Sequence, residues 1–186
     1  MRRARTIGWL AMLAMGFLVA VPAQAADPDL LSVAILGGAG GPFDADPPDP
    51  GLGHQALEIQ VGVVTEPRTL LQVRLGRIDF DSGDQLGGFH DPQLEYATIS
   101  GEYRFYRNWY DSGLFLGIGG YRLSGTVGGP TGADDDDTAL GITAGVTGEF
   151  ELNRHFALLG QISGHYVDFD ATPLFATGLA GVAVKF

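Results

Sequence analysis

Apolar and polar residues alternate along most of the chain after residue 30. In its final segment, Leu174 to Phe186, one set of alternate positions is wholly apolar or small, and the other carries the single charge, Lys185. This period of two is typical of a β-strand with one apolar face. The pattern recurs upstream and predicts eight strands: Leu30–Gly38, His54–Thr65, Thr69–Phe80, Gln93–Tyr106, Ser112–Gly125, Thr138–Phe150, His155–Val167 and Leu174–Phe186.

The connections between these strands alternate strictly between long and short. Long polar segments follow the odd-numbered strands, whereas tight turns follow the even-numbered ones. This order predicts an all-β, eight-stranded antiparallel up-and-down barrel, with loops on one rim and turns on the other. Each strand is long enough to cross a bilayer when tilted. A soluble lipocalin-like barrel is the alternative, but its apolar side chains would face inward and its loops would not sort in this way.

Ionic side chains share the face predicted to point into the barrel. An eight-stranded barrel is just wide enough for side chains to fill, and buried charges must be paired. The pattern therefore predicts a network that plugs the lumen, with a narrow charged pore as the alternative. Its members are Glu58, Arg74, Glu102, Arg104, Arg122, Glu149, His165 and Lys185.

The opposite face is predicted to contact lipid, because it is almost wholly aliphatic, aromatic or glycine in mid-strand. Aromatic residues near the strand ends indicate two interfacial girdles. The predicted members are Tyr103, Phe105, Trp109, Tyr110, Phe150, Phe156 and Phe186 at the turn side, and Phe80, Tyr121 and Tyr166 at the loop side. Arg77 falls on this face and is expected near the outer headgroups.

The N-terminus has the order of a secretory signal peptide. Arg2, Arg3 and Arg5 precede an apolar run from Ile7 to Val21, and Ala23-Gln24-Ala25 is a small-x-small cleavage site. We expect a signal peptide over residues 1–25 and a barrel domain over residues 26–186. A membrane-anchoring helix is the alternative, but the run is short for one.

The amino-acid composition argues against several kinds of partner and site. Without the three arginines of the signal segment, eight basic residues face 22 acidic ones, a net charge of −14 with His neutral. Nucleic acid is an unfavourable partner for such a chain. There is no cysteine, which excludes disulfides, thiolate metal sites and a cysteine nucleophile. No cofactor is expected.

The chain from about Leu30 to Phe186 resembles the OmpA/OmpX-like, or OmpW-like, outer-membrane β-barrel superfamily. The resemblance lies in the signal peptide, the alternating strands and the final Phe186. It implies location in the outer membrane and a C-terminal strand, ending in Phe186, that serves as the signal to the barrel-assembly machinery. It also implies contact with outer-membrane lipid and lipopolysaccharide. A monomer is expected.

Two clusters suggest further chemistry. Ser163 and His165 share one strand face, and with Glu149 or Asp168 they could form a triad-like relay, as in barrel enzymes that resemble lipid A deacylases. A hydrogen-bonded core histidine is the simpler interpretation.

The second cluster is acidic. Asp134, Asp135, Asp136 and Asp137 lie in a predicted loop and could bind a hard cation such as Ca²⁺. The spacing of His54, His90 and His155 suggests no metal site.

These observations favour a structural or surface-display role for the barrel, with acidic extracellular loops. A narrow channel or transporter is the first alternative. A lipid A-modifying acyl hydrolase is the second.

Overall fold

The computed structural model describes residues 31–43, 51–106, 110–128, 132–169 and 174–186. The expected signal peptide over residues 1–25 lies outside these ranges, as do the expected start of the barrel domain at residue 26 and girdle residue Trp109.

Nine antiparallel strands make up the described chain. Eight of them correspond to the predicted strands, and the ninth, β4, has two residues. The strands are β1 (Leu31–Pro42), β2 (His54–Glu66), β3 (Thr69–Asp79), β4 (Gln85–Leu86), β5 (Phe89–Tyr106), β6 (Asp111–Val127), β7 (Ala133–Glu151), β8 (Phe156–Val167) and β9 (Leu174–Lys185).

The sheet closes on itself. Each long strand pairs with its neighbours in sequence, β3 pairs with β5 past the short β4, and β1 pairs with β9. The β1–β9 seam has a continuous register from Ser32 opposite Lys185 to Pro42 opposite Phe175. The prediction of a closed eight-stranded antiparallel barrel is therefore confirmed.

The two faces of the barrel differ as the alternation predicted. The most exposed aliphatic side chains on the outside of the strands keep 41–78% of their surface accessible. They form a belt that runs through the strands β1, β2 and β5–β9: Ile35, Leu57, Ile59, Ile99, Leu114, Leu116, Ile118, Leu140, Ile142, Val146, Leu158, Ile162 and Val182. Polar side chains of β2, β3, β5, β7, β8 and β9 are buried inside.

The predicted faces of β6 are wrong. Phe115 and Tyr121 are 4% and 1% exposed and point into the barrel, whereas Leu116 and Ile118 face outward. Arg122 shares the outward face, directly opposite Glu95 of β5. Both faces of this strand consist mostly of apolar residues or glycine. The prediction of the inward face therefore rested on one charged residue near the strand end, Arg122, and it was wrong.

Two predicted loops contain ordered β-structure. In the segment 81–92, β4 forms a hairpin with the start of β5, and Leu86 and Phe89 of this hairpin are buried. The predicted loop 126–137 is largely an extension of the β6–β7 ladder, which continues up to the pairing of Val127 with Ala133. Residues 133–140 of β7 have no ladder partner on the β8 side among the described residues.

Across the described ranges, no helix has the length and apolar character needed to cross a membrane.

Candidate functional site

Arg74 of β3 lies at the centre of the lumen and is 1% exposed. Its guanidinium donates hydrogen bonds to Ser100 Oγ at 3.0 Å, Gln161 Oε1 at 2.7 Å and Gln72 Oε1 at 2.5 Å. The same group lies 3.5 Å from the centre of the Phe115 ring, a cation–π contact. Arg74 therefore links strands on opposite sides of the barrel.

Two glutamates lie on either side of this arginine. Glu58 Oε1 is 3.8 Å from Arg74 Nη1, and Glu102 Oε2 is 3.5 Å from Arg74 Nη2. Glu58 also accepts hydrogen bonds from Gln60 Nε2 and Tyr96 Oη, both at 2.6 Å. A buried carboxylate is stabilised by hydrogen bonds as well as by an opposite charge. The two neutral donors therefore stabilise Glu58, whose distance to the Arg74 guanidinium is too long for a hydrogen bond.

A second ionic chain fills the turn end of the lumen. Arg104 lies 3.1 Å from Glu102 Oε1 and 3.2 Å from Glu149 Oε2. Lys185 Nζ in turn lies 2.5 Å from Glu149 Oε1 and 2.7 Å from Glu151 Oε1. The chain of charges thus runs without a break from Arg74 to the rim, where Glu151 is exposed.

The structure corrects the predicted network at one position. Arg122 is outside the lumen, where it contacts Asp136 Oδ2 at 3.0 Å and Glu95 at 3.9 Å. Seven of the eight predicted members lie inside: Glu58, Arg74, Glu102, Arg104, Glu149, His165 and Lys185. Among the predicted members, three cationic side chains therefore face three carboxylates, and Asp111 and Glu151 add two further carboxylates at the turn end.

Aromatic side chains fill much of the remaining space, and glycines make room for them. A Cβ at Gly76 would overlap the Tyr96 ring, and one at Gly145 would come within 2.6 Å of the Phe115 ring. Tyr121 occupies the space beside Gly141 in the same way. The abundance of glycine in the strands therefore serves the packing of the lumen as well as its turns.

The loop end of the lumen is apolar. Leu86 and Phe89 of the β4–β5 hairpin pack into one cluster with core residues of the surrounding strands. The other members at this end include Leu36, Ile78, Leu94, Leu123, Val167, Phe169 and Phe175. Sequence reasoning missed this cap because segment 81–92 looked like a polar loop. The signal was the pair Leu86 and Phe89 flanking Gly87-Gly88, which is a hairpin pattern.

Ser163 and His165 are in contact, with Ser163 Oγ 3.2 Å from His165 Nε2. The other ring nitrogen of His165 lies 3.0 Å from Tyr121 Oη, so a tyrosine and not Glu149 or Asp168 orients the ring. Ser163 Oγ also lies 2.6 Å from Thr177 Oγ1. Both Ser163 and His165 are 2% exposed, which gives a substrate no access to them. The arrangement is a buried hydrogen-bond cluster.

The four aspartates do not converge on one point. Asp134 to Asp137 lie on the ladder, where successive side chains point to opposite faces. Asp136 is paired with Arg122, and the described residues place no three of the four carboxylates close enough to share an ion. Among the described residues these carboxylates form no three-ligand cluster, and cation binding by Asp134 to Asp137 stays a prediction.

Phe186 lies at the seam of the barrel. Its N–H donates to Leu31 O at 2.8 Å, and its carbonyl accepts from Leu31 N at 3.3 Å. Its side chain is exposed on the outside, as expected for the turn-side girdle. Two residues predicted for the loop-side girdle lie elsewhere: Tyr121 is inside the lumen, and Phe80 packs at the edge of the apolar cluster. Five other predicted girdle residues are exposed: Tyr103, Phe105, Phe150, Phe156 and Tyr166.

Three solved structures share this architecture. Neisserial surface protein A has 18% sequence identity and a TM-score of 0.66, with 84% of this chain and 97% of that one covered. The attachment invasion locus protein Ail of Yersinia pestis has 12% identity and a TM-score of 0.57, over 85% and 97% of the two chains. A major outer membrane protein from Thermus thermophilus has 14% identity and a TM-score of 0.58, over 84% and 99%.

No protein-family model matches the sequence, and no curated protein matches it. At these identities the likeness concerns the fold. The chain has the fold of these eight-stranded outer-membrane β-barrels.

Proposed function

We propose that the protein is an integral outer-membrane β-barrel with a sealed lumen, which serves a structural and surface-display role. The observation that carries this proposal is the inversion of polarity: the ionic network is inside and the aliphatic belt is outside. A barrel that works in water has the opposite arrangement.

The aliphatic belt supports membrane insertion. Soluble monomers rarely expose a contiguous apolar surface of this extent. A bilayer removes that cost, and the closed ring leaves no unpaired backbone groups for the hydrocarbon to meet. A closed ring also has no open sheet edge within the membrane, which favours a monomer.

Two barriers in series support a sealed lumen. The ionic chain from Arg74 to Lys185 crosses the turn half of the barrel, and the apolar cap around Leu86 and Phe89 covers the loop end. For ions to pass, the paired charges would have to separate in a poorly hydrated interior, which is unfavourable. The channel alternative has no comparable observation in its favour.

The acidic residues of the loop end favour display at the cell surface. The expected signal peptide would export the chain, and its strand order would then place Asp134–Asp137 on the long-loop, outer side. Lipopolysaccharide bridged by divalent cations is a suitable neighbour for these carboxylates. Ail has been solved with the heparin analogue sucrose octasulfate, but the acidic charge of this chain disfavours a similar polyanion. The C-terminal strand and Phe186 would engage the barrel-assembly machinery.

Membrane location is tested by expressing the full chain with an epitope tag in a surface-exposed turn and fractionating the cells. We expect the protein in the outer-membrane fraction, with different migration of boiled and unboiled samples on a gel. Recovery in the soluble periplasmic fraction without detergent would refute the proposal.

The seal is tested by planar-bilayer recordings of the purified, folded protein, with a large porin as the positive control. We expect no stable conductance steps from this barrel. A reproducible ohmic conductance that scales with the number of inserted barrels would show an open pore and remove the sealed-lumen part of the proposal, while leaving membrane insertion intact.

A further inference from the structure

The barrel register brings one histidine and two aspartates together at the loop end. His54 begins β2, and Asp81 and Asp84 lie in the turn that follows β3. His54 Nδ1 is 3.6 Å from Asp84 Oδ2 and 3.8 Å from Asp81 Oδ2. The cluster follows from the β2–β3 ladder, because the last pair, Gln55 with Asp79, places His54 beside the chain that leaves β3.

His54 is the unusual member of this group. Its side chain is 10% exposed, and Nδ1 is a buried atom with no hydrogen-bond partner among the described residues. A buried polar atom without a hydrogen-bond partner is destabilising. His54 Nδ1 nevertheless lies near two carboxylate oxygens, those of Asp81 and Asp84. A metal ion bound between these three side chains would give the nitrogen a partner.

The surroundings hold the three groups in place. The His54 ring packs on Phe80, with the ring centres 4.8 Å apart. Asp84 Oδ2 accepts a hydrogen bond from the Asp81 N–H at 2.9 Å, and the Asp84 N–H donates to Asp81 O at 3.1 Å. Gly83 has a φ of +97° in this turn, a value that favours glycine. The carboxylate of Asp84 is thus oriented before any ligand arrives.

We propose that His54, Asp81 and Asp84 form a site for a first-row divalent transition metal such as Zn²⁺. Zinc takes imidazole nitrogen and carboxylate oxygen at about 2.0–2.2 Å, which puts neighbouring tetrahedral ligands roughly 3.3 Å apart. The two distances from His54 Nδ1 exceed that value by only a few tenths of an ångström. Asp81 is 89% exposed, so a fourth position is open to water.

A second acidic group shows why this one stands out. Asp111, Glu149 and Glu151 also place three ligand oxygens close together. There, however, the Lys185 amine already contacts both glutamates and supplies the positive charge. His54 has no such cation beside it among the described residues. A metal would also join the start of β2 to the β3–β4 turn and tighten the loop end.

The test is isothermal titration of ZnCl₂ into the folded, EDTA-stripped barrel in detergent, with Co²⁺ absorption as a second readout. We expect one equivalent of Zn²⁺ to bind the unaltered chain, and His54→Gln and Asp84→Asn each to weaken binding at least tenfold. Even the loss of a residue that only hydrogen-bonds to a metal-binding side chain lowers the affinity for the metal roughly 10–100-fold. Asp81→Asn should also weaken it and cannot disturb packing, because Asp81 is exposed.

Matched controls use residues far from the cluster. His155→Gln removes an exposed histidine at the opposite rim, and Asp136→Asn removes a carboxylate from the β6–β7 hairpin. Both should bind Zn²⁺ like the unaltered chain, and unboiled gel migration shows that each variant is folded. The proposal is overturned if the unaltered chain takes up no Zn²⁺, if all three site variants bind it unchanged, or if Ca²⁺ displaces Zn²⁺ at equal concentration.

Discussion

Replacement of Arg74 by methionine is the most direct test of the lumen network. Methionine is also unbranched but shorter, and it has neither charge nor donors. The substitution removes three hydrogen bonds, to Ser100, Gln161 and Gln72. It also leaves Glu58 and Glu102 facing each other across a buried space that held their common cation.

The expected cost is large because the glutamates remain. Removal of one partner from a buried ion pair destabilises a protein by about 3–5 kcal/mol. Arg77→Met is the matched control on the same strand, since Arg77 is 51% exposed and pairs with Asp79 on the outer face. Exposed ion pairs contribute about 0–1 kcal/mol, so the control should unfold almost like the unaltered barrel.

A double variant shows how much of the destabilisation by Arg74→Met comes from the unpaired carboxylate and how much from lost packing. In Arg74→Met with Glu58→Gln, the carboxylate that had paired with Arg74 is neutral, whereas Glu102 keeps its contact with Arg104. We expect the double variant to be more stable than Arg74→Met alone, and its cost to fall below the sum of the two single variants by a coupling of roughly 0.5–3 kcal/mol.

The measurement is urea unfolding of the barrel in lipid vesicles, followed by the shift between folded and unfolded bands on unboiled gels. Refolding from urea over the same range shows that the transition is reversible. If Arg74→Met and Arg77→Met differ by less than about 1 kcal/mol, the buried network does not stabilise the barrel as argued. If the double variant is less stable than Arg74→Met alone, the unpaired carboxylate is not the governing factor.

Two further predictions concern the seam and the outer face. Gly181→Ala should destabilise the barrel by about 1–3 kcal/mol, because its Cβ would overlap the Ile35 carbonyl oxygen at the β1–β9 seam. Gly178→Ala on the same strand meets nothing within 4 Å and should be close to neutral in the same unfolding assay, so equal effects would contradict this account of the seam. Ile118→Arg should cost about 2–4 kcal/mol in lipid vesicles if this 68%-exposed residue faces the bilayer centre, with Ile118→Ala as the control. Equal stability of these two variants in vesicles would show that Ile118 does not face lipid.

Alternation of residue types predicted the architecture because it reports which side of each strand meets the interior. The strands β8 and β9, and β7 from Leu140 to Phe150, keep their polar residues on one face, and the structure buries that face as expected. Closure followed from the alternation of long and short connections. Neither inference needed a knowledge of which side chains touch.

The sequence was a poorer guide where both faces of a strand are similar. In β6 the inward face holds Phe115, Gly117, Gly119 and Tyr121, which is as apolar as the outward one. What decides the orientation is the neighbour: a Cβ at Gly119 would overlap the Ala97 carbonyl oxygen. That information lies in the packing between strands and not in the strand itself.

The cluster around His54 was also beyond a local pattern. His54 is distant in sequence from Asp81 and Asp84, and only the hairpin register brings them together. Counting outward from the pair of Glu66 with Thr69 would have placed His54 opposite Asp81, but a bulge between Val64 and Glu66 shifts the register by one residue, so that Gln55 pairs with Asp79. A search for histidines by their spacing from one another could not find this arrangement.

The upper part of β7 bonds to β6 on one side, and no described residue pairs with its other side over residues 133–139, below which Leu140 O accepts from Asp168 N. Backbone donors and acceptors on such a margin are a template for another chain, and carboxylates repel an identical neighbour that approaches. Asp134 to Asp137 line this margin. Because like charges repel, we expect that neutralising these four carboxylates would favour side-by-side association of neighbouring copies.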